Sequence, residues 1–86
     1  MRRVLFEKEA LKDLKEWANI NIKMYNKIID LLHDINKTPF KGIGKPEALK
    51  YELKGFWSRR INKEHRLVYK VTDKEIIVIS CKYHYT

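Results

Sequence analysis

"HRLVYKVTDKEIIVIS", residues 65–80, is the stretch whose reading decides the fold. Its first half alternates: Leu67, Tyr69 and Val71 share one face, and Arg66, Val68 and Lys70 share the other. Period two is the signature of a half-covered strand, and it turns Arg66 away from the core. Thr72-Asp73-Lys74 is short enough for a hairpin. The run Ile76 to Ile79 is apolar on both faces, as a central strand requires. The stretch therefore predicts two antiparallel strands, the second in the middle of a sheet.

Working backwards, "YELKGFWSRRIN" (51–62) is a third β-like segment, joined to the pair near Lys63-Glu64. Gly55 reads as a bulge within it, so faces are not assigned across that residue. "TPFKGIGKPEALK" (38–50) holds two of the three glycines and both prolines, which makes it a loop, with one helical turn near Glu47. Upstream the period changes to that of helices. Leu11, Leu14, Trp17 and Ala18 mark one face; Tyr25, Ile28, Ile29, Leu32 and Ile35 mark a second. Glu7 and Glu9 suit the first turn of the first helix. Asn19 and Asn21 divide the two helices, and Thr38-Pro39 stops the second. A short β-like run, Val4 to Phe6, precedes them. The expected class is α+β, ordered β-α-α-β-β-β. Two helices pack on one face of a small antiparallel sheet and the other face stays open.

The 86 residues form one expected domain, 1–86, with 44% hydrophobic residues for a single core. One cysteine, Cys81, excludes an internal disulfide, and no apolar run approaches the length of a membrane span. A soluble cytoplasmic protein, without a membrane partner, is expected. The net charge is +8, and residues 40–66 alone carry eight Lys/Arg against three Asp/Glu. A basic field gathered in one half suits phosphate, although lysines also serve simply to solubilise a surface.

Metal chemistry is poorly supported, because His33, His65 and His84 are widely spaced and Cys81 stands alone. No cofactor is expected. "GIGKPE" does not precede a long helix as a phosphate-cradling loop must. His33 reads as a surface histidine, and His65, following a turn, is weighed mainly as structural. What remains is Glu47, Arg59, Arg60, Arg66 and the end of the sequence, "CKYHYT" (81–86), where His84 sits between Tyr83 and Tyr85. Terminal residues rarely repay the entropy of being ordered, so such a cluster invites a functional reading. RNA carries its own nucleophile, the 2′-OH. Cleavage needs a base for that proton, an acid for the leaving 5′-oxygen and cations for the charge on phosphorus. Glu, His and Arg supply those functions. Each also has a plainer reading: Glu47 as a solvated charge, Arg66 paired with Glu52 or Glu64, His84 as a polar end. Phe56-Trp57 reads as packing, in the core or between two copies, before base stacking.

"KTPFKGIGKPEALK", "GFWSRRI", "EHRLVY" and "YHY", in that order between Lys37 and Tyr85, resemble the YoeB-type toxins of the RelE/ParE superfamily. That resemblance implies a ribosome-dependent mRNA interferase of a type II toxin–antitoxin system. Its partners would be mRNA in the ribosomal A site, the ribosome and a Phd/YefM-type antitoxin, with a homodimer also open. It implies Glu47 as general base, Arg66 as transition-state cation and His84 as general acid, with Tyr85 beside it. Lys45, Lys50, Lys54, Arg59 and Arg60 would bind RNA phosphates. Thr86 extends beyond the His-Tyr pair at which such toxins end. Lys82 stands where an arginine is common, and Ala48 where a second proline is common. Two competing readings are a non-enzymatic ParE-like toxin acting on a protein such as DNA gyrase, and a basic RNA-binding module. Neither needs the Glu47/Arg66/His84 set.

Overall fold

A four-residue strand, β1 (Arg3–Phe6), leads into α1 (Lys8–Ile20), in a computed structural model that describes residues 1–83. Asn21 is the corner of the expected helical hairpin. Its N–H returns to the Trp17 carbonyl, closing α1, while its side chain accepts from Met24 N–H at 3.3 Å, opening α2 (Ile22–Lys37). A side-chain oxygen here satisfies one of the donors a helix start leaves free.

The buried stripe of α2 is wider than its apolar spacing suggests: Met24 and Leu31 join Ile28, Leu32 and Ile35, with Tyr25 at the margin. On α1 the stripe is rotated. Ala10 and Trp17 are buried and Leu14 packs beside them, whereas Leu11 and Ala18, expected in the core, are exposed. The displaced position belongs to Asp13, half-buried because it accepts the Cys81 N–H. A hydropathy pattern does not count a carboxylate as facing inward.

Five strands form one sheet in the order β1-β5-β4-β3-β2. The hairpin of β4 (Arg66–Val71) and β5 (Glu75–Ser80) turns over Asp73-Lys74, with Thr72 Oγ1 accepting from Glu75 N–H at 3.0 Å. As expected, β5 is central and β4 and β3 (Trp57–Arg60) continue antiparallel. The fifth strand modifies the expected sheet. Glu47–Ala48 is β2, a two-residue strand on the outer edge, and not a helical turn. The helical turn falls instead at Tyr51–Leu53, a 3₁₀ turn inside the β2–β3 connection. Gly55 is not a bulge: with φ +97 it lies between that turn and β3, and the register irregularity sits at Val68/Tyr69. On the far edge β1 pairs with β5 in parallel, Val4 opposite Ile76, so the sheet is mixed there.

Register sorts the side chains. Glu47 pairs with Ser58, Ser58 with Val68 and Arg60 with Arg66. Paired residues point the same way, so Glu47, Ser58, Arg60, Arg66, Val68 and Lys70 share the face away from the helices. Trp57, Arg59, Leu67, Tyr69 and Val71 take the other face, against the helical core.

Candidate active site on the sheet

Parity settles the two adjacent arginines of β3. Arg60 lies on the outward face and is exposed; Arg59 points under the helices and is fully buried. The expectation that Arg59 holds phosphate therefore fails. Its guanidinium has five N–H donors, and all are used. Nε donates to Tyr69 Oη, Nη1 to Asp34 Oδ2 and the Ile43 carbonyl, and Nη2 to the carbonyls of Thr38 and Lys41. Tyr69 Oη in turn donates to the Pro39 carbonyl at 2.7 Å. The Arg59 hydrogen bond and the Ile43 N–H hold the Asp34 carboxyl below its usual range. Burial outweighs the Arg59 contact at Tyr69 and pushes that phenol up.

This knot gathers the loop that leads to Glu47. The loop passes close enough to the knot that side chains are excluded. A Cβ on Gly42 (φ +123) would run into the Asp34 carboxylate, and one on Gly44 (φ +79) would lie 2.8 Å from Leu31 Cδ2 and 3.1 Å from the Arg60 carbonyl. The Gly44 carbonyl accepts the Arg60 N–H at 2.6 Å, stitching the loop to β3 before it reaches β2. Thus "GIG" is needed for close approach and left-handed backbone, not for cradling phosphate.

Beyond the loop the outward face carries the candidate groups. Glu47 is exposed on β2, and residues 47–53 curve around a surface depression. Arg66 stands on β4, two strand spacings across the sheet from Glu47, roughly 10 Å, and two residues, roughly 7 Å, along it. Ser58 and Val68 between them are buried, a covered floor with Glu47, Arg60 and Arg66 around it. Arg66 is half-buried, and among the described residues its buried Nε has no hydrogen-bond partner. No ion pair joins it to Glu52 or Glu64 among the described residues. Lys45 before β2, at φ +50, and Lys50 and Lys54 after it are exposed. Lys70 stands over the Phe56 ring, 5.7 Å from its centroid. Trp57 packs against the core and Phe40, so packing is its role here.

His84, Tyr85 and Thr86 lie outside the described residues. The three before them follow α1 and the start of β4. Trp17 Nε1 donates to the Cys81 carbonyl at 2.8 Å, Asp13 accepts the Cys81 N–H at 3.0 Å, and Lys82 pairs with Glu16. That pairing lowers the Glu16 carboxyl and raises the Lys82 amine. Burial pushes the Cys81 thiol up to about 12, leaving it no thiolate for nucleophilic work. Tyr83 then receives two bonds from β4's start: its N–H donates to His65 Nδ1 and its carbonyl accepts the Arg66 N–H, both at 2.8 Å. The peptide bond entering His84 is thus the one whose oxygen Arg66 holds. His33 is exposed, as its helical position suggests. Asp13, Trp17, Asp34 and His65 are contributors that a motif search passes over, because their partners lie far along the chain.

Comparison with known proteins supplies the family and agrees with the fold. Residues 6–85 match the family described as YoeB-like toxin of bacterial type II toxin-antitoxin system. Toxin YoeB of Escherichia coli K12 is 46% identical over 83 residues, covering 96% of this chain and 99% of that one. A YoeB dimer structure from Staphylococcus aureus superposes with TM-score 0.93 at 48% identity, covering 98% of each chain. A YoeB–YefM complex from the same organism gives TM-score 0.90 at 49% identity over 99% of each. With its fold and nearly its whole length in agreement, the chain belongs to the YoeB-like toxins of bacterial type II toxin–antitoxin systems.

Proposed function

We propose that this toxin is a ribosome-dependent endoribonuclease, cutting mRNA in the ribosomal A site by attack of the 2′-OH on the adjacent phosphorus. Glu47 takes the 2′-OH proton. Arg66 stabilises the charge that develops on the phosphoryl oxygens. His84, with Tyr85 beside it, protonates the departing 5′-oxygen. These groups supply base, acid and cation from side chains alone, so the chemical step needs no metal. Lys45, Lys50, Lys54 and Arg60 hold flanking phosphates; Arg59 builds the loop that carries Glu47 and does not touch RNA.

One observation carries the reading. Arg66 shares its sheet face with Glu47, has a buried Nε without a partner among the described residues, and through its own N–H holds the carbonyl that precedes His84. A half-buried cation without a counter-ion is costly unless a ligand anion supplies one. The same logic favours an antitoxin that covers this basic face with carboxylates. The YefM bound to Staphylococcus aureus YoeB supports a partner of that kind, and the dimer of that toxin supports a homodimer here. Action is placed in the cytoplasm, where the ribosomes are; no helix among the described residues is long and apolar enough to cross a membrane.

End mapping on mRNA, with and without ribosomes, tests the reading. Products should carry a 2′,3′-cyclic phosphate or its 3′-phosphate and a 5′-hydroxyl, and a short RNA at high enzyme concentration should still be cut under chelator. His84→Gln, folded as the wild type, should lose roughly 10²–10⁴-fold in rate. A 5′-phosphate end, or wild-type cutting by that variant, would overturn it.

A further inference from the structure

His65 is buried to 8% exposure at the very start of β4, with its backbone fixed on both sides. Its N–H donates to Asn62 Oδ1 at 2.7 Å, and its carbonyl accepts the Ile61 N–H at 2.9 Å. The ring lies between two aromatics: Trp17 edge-on at 4.9 Å between centroids, and Tyr83 at 5.2 Å. Nδ1 accepts the Tyr83 N–H, so in the neutral ring the proton sits on Nε2. Glu64 approaches Nε2 at 3.7 Å, beyond hydrogen-bond reach. A histidine needed only for packing does not require an unprotonated Nδ1 aimed at a backbone amide 18 residues away.

The contacts around it converge on one short segment. Asp13 and Trp17 take both backbone polar groups of Cys81, and His65 and Arg66 take both backbone polar groups of Tyr83. Tyr83 itself has φ +55, a left-handed conformation that a bulky side chain adopts only where its surroundings impose it. The chain is bent there and then pinned on both sides of the bend.

We propose that His65 is a positioning residue: its Nδ1 holds the Tyr83 amide and so fixes the backbone bend that immediately precedes His84. The role deepens the nuclease reading and rests on it for the part played by His84. The device works through the backbone. His65 touches no substrate; it sets the direction of the next peptide unit, and a displacement of about 1 Å in an acid can cost on the order of 10²-fold in rate.

Two substitutions separate positioning from packing. His65→Asn keeps an acceptor, its Oδ1, near the place of Nδ1, whereas His65→Phe keeps an aromatic ring and removes the acceptor. On ribosome-bound mRNA, His65→Phe should lose roughly 10–10²-fold in kcat with little change in KM, and His65→Asn should recover most of that loss. In the wild-type toxin, nitrogen NMR should show Nδ1 unprotonated and Nε2 protonated. Tyr83 amide exchange should be slow in wild type and His65→Asn, and fast in His65→Phe. The NMR readings need no RNA and hold even where His65→Phe is too unstable to assay. A protonated Nδ1, a Tyr83 amide exchanging as in a free peptide, or wild-type kcat in folded His65→Phe would overturn the proposal. Failure of the nuclease reading shows elsewhere, as wild-type cutting by His84→Gln.

Discussion

Arg59 and Arg66 are both arginines on the two middle strands of the basic half, and they are treated in opposite ways. Arg59 lies inside with every donor matched, to one carboxylate, one phenol and three carbonyls. Arg66 lies at the outward face with a buried Nε for which the described residues provide no acceptor. A saturated guanidinium is a building part: its energy is spent on holding a loop, and an incoming phosphate would have to break that loop to bind. An unsaturated one is available for an anion. Polar satisfaction, more than charge or neighbourhood in sequence, separates scaffold from site.

The strongest way to break this contrast is to cut the buried pair. Asp34→Ala leaves the Arg59 charge in the core without its counter-ion, and a loss of about 3–5 kcal/mol is expected, read as a shift in urea midpoint. That is a large part of a small domain's stability. The same carboxylate gives an acid limb. Its pKa is lowered in the fold, so its contribution is complete above the unfolded value near about 3.9 and disappears as pH falls through the folded value. Melting curves taken from pH 5 downwards should therefore fall less steeply for Asp34→Asn than for wild type.

Arg66→Gln should do the reverse. Its folded state is expected to melt near the wild-type temperature, while cleavage drops roughly 10²–10³-fold, about 2.7–4 kcal/mol of transition-state stabilisation. Equal damage to stability by Asp34→Ala and Arg66→Gln would erase the distinction drawn between the two arginines. A smaller effect belongs to Gly44→Ala. The added methyl meets Leu31 and the Arg60 carbonyl at a positive φ, for about 1–3 kcal/mol, with cleavage changed only as far as the β2 edge shifts. Smallest are Lys50→Ala and Arg60→Ala. Each should leave the fold intact and reduce the slope of log K against log salt by roughly one unit, whereas Arg59→Ala, where folded at all, should leave that slope alone.

Much of the architecture is legible in local pattern. Period two in residues 65–80 gives the hairpin, and the apolar run of β5 announces a central strand. Asn21 and Thr38 mark the ends of helices at the positions where they fall. The site is legible in part, since parity alone turns Arg66 outward. What local pattern does not show is a partnership across distance. Arg59 and Arg60 look alike in sequence because the identity of the buried one depends on Asp34, 25 residues earlier. Gly55 also hides the parity that would have told them apart. The edge strand β2 has two residues and no period to read. His65 looks like a turn residue until Tyr83 is brought beside it. In α1 an inward carboxylate rotates the helix face by about one position, and only the Cys81 amide explains it.

The pairing of β1 with β5 has a consequence for how the chain comes into being. Arg3 and Glu75 are 72 residues apart, yet they are neighbours in the finished sheet. Until residues 75–80 have left the ribosome, β1 and β4 each lack the strand that separates them, and the core face of α1 and α2 has only part of its floor. Pairing over such a separation is slow compared with helix formation. A growing chain therefore carries two helices and an unfinished sheet until residues 75–80 are available. The loop holding Glu47 and the strand holding Arg66 come into lasting register only once the last strand arrives.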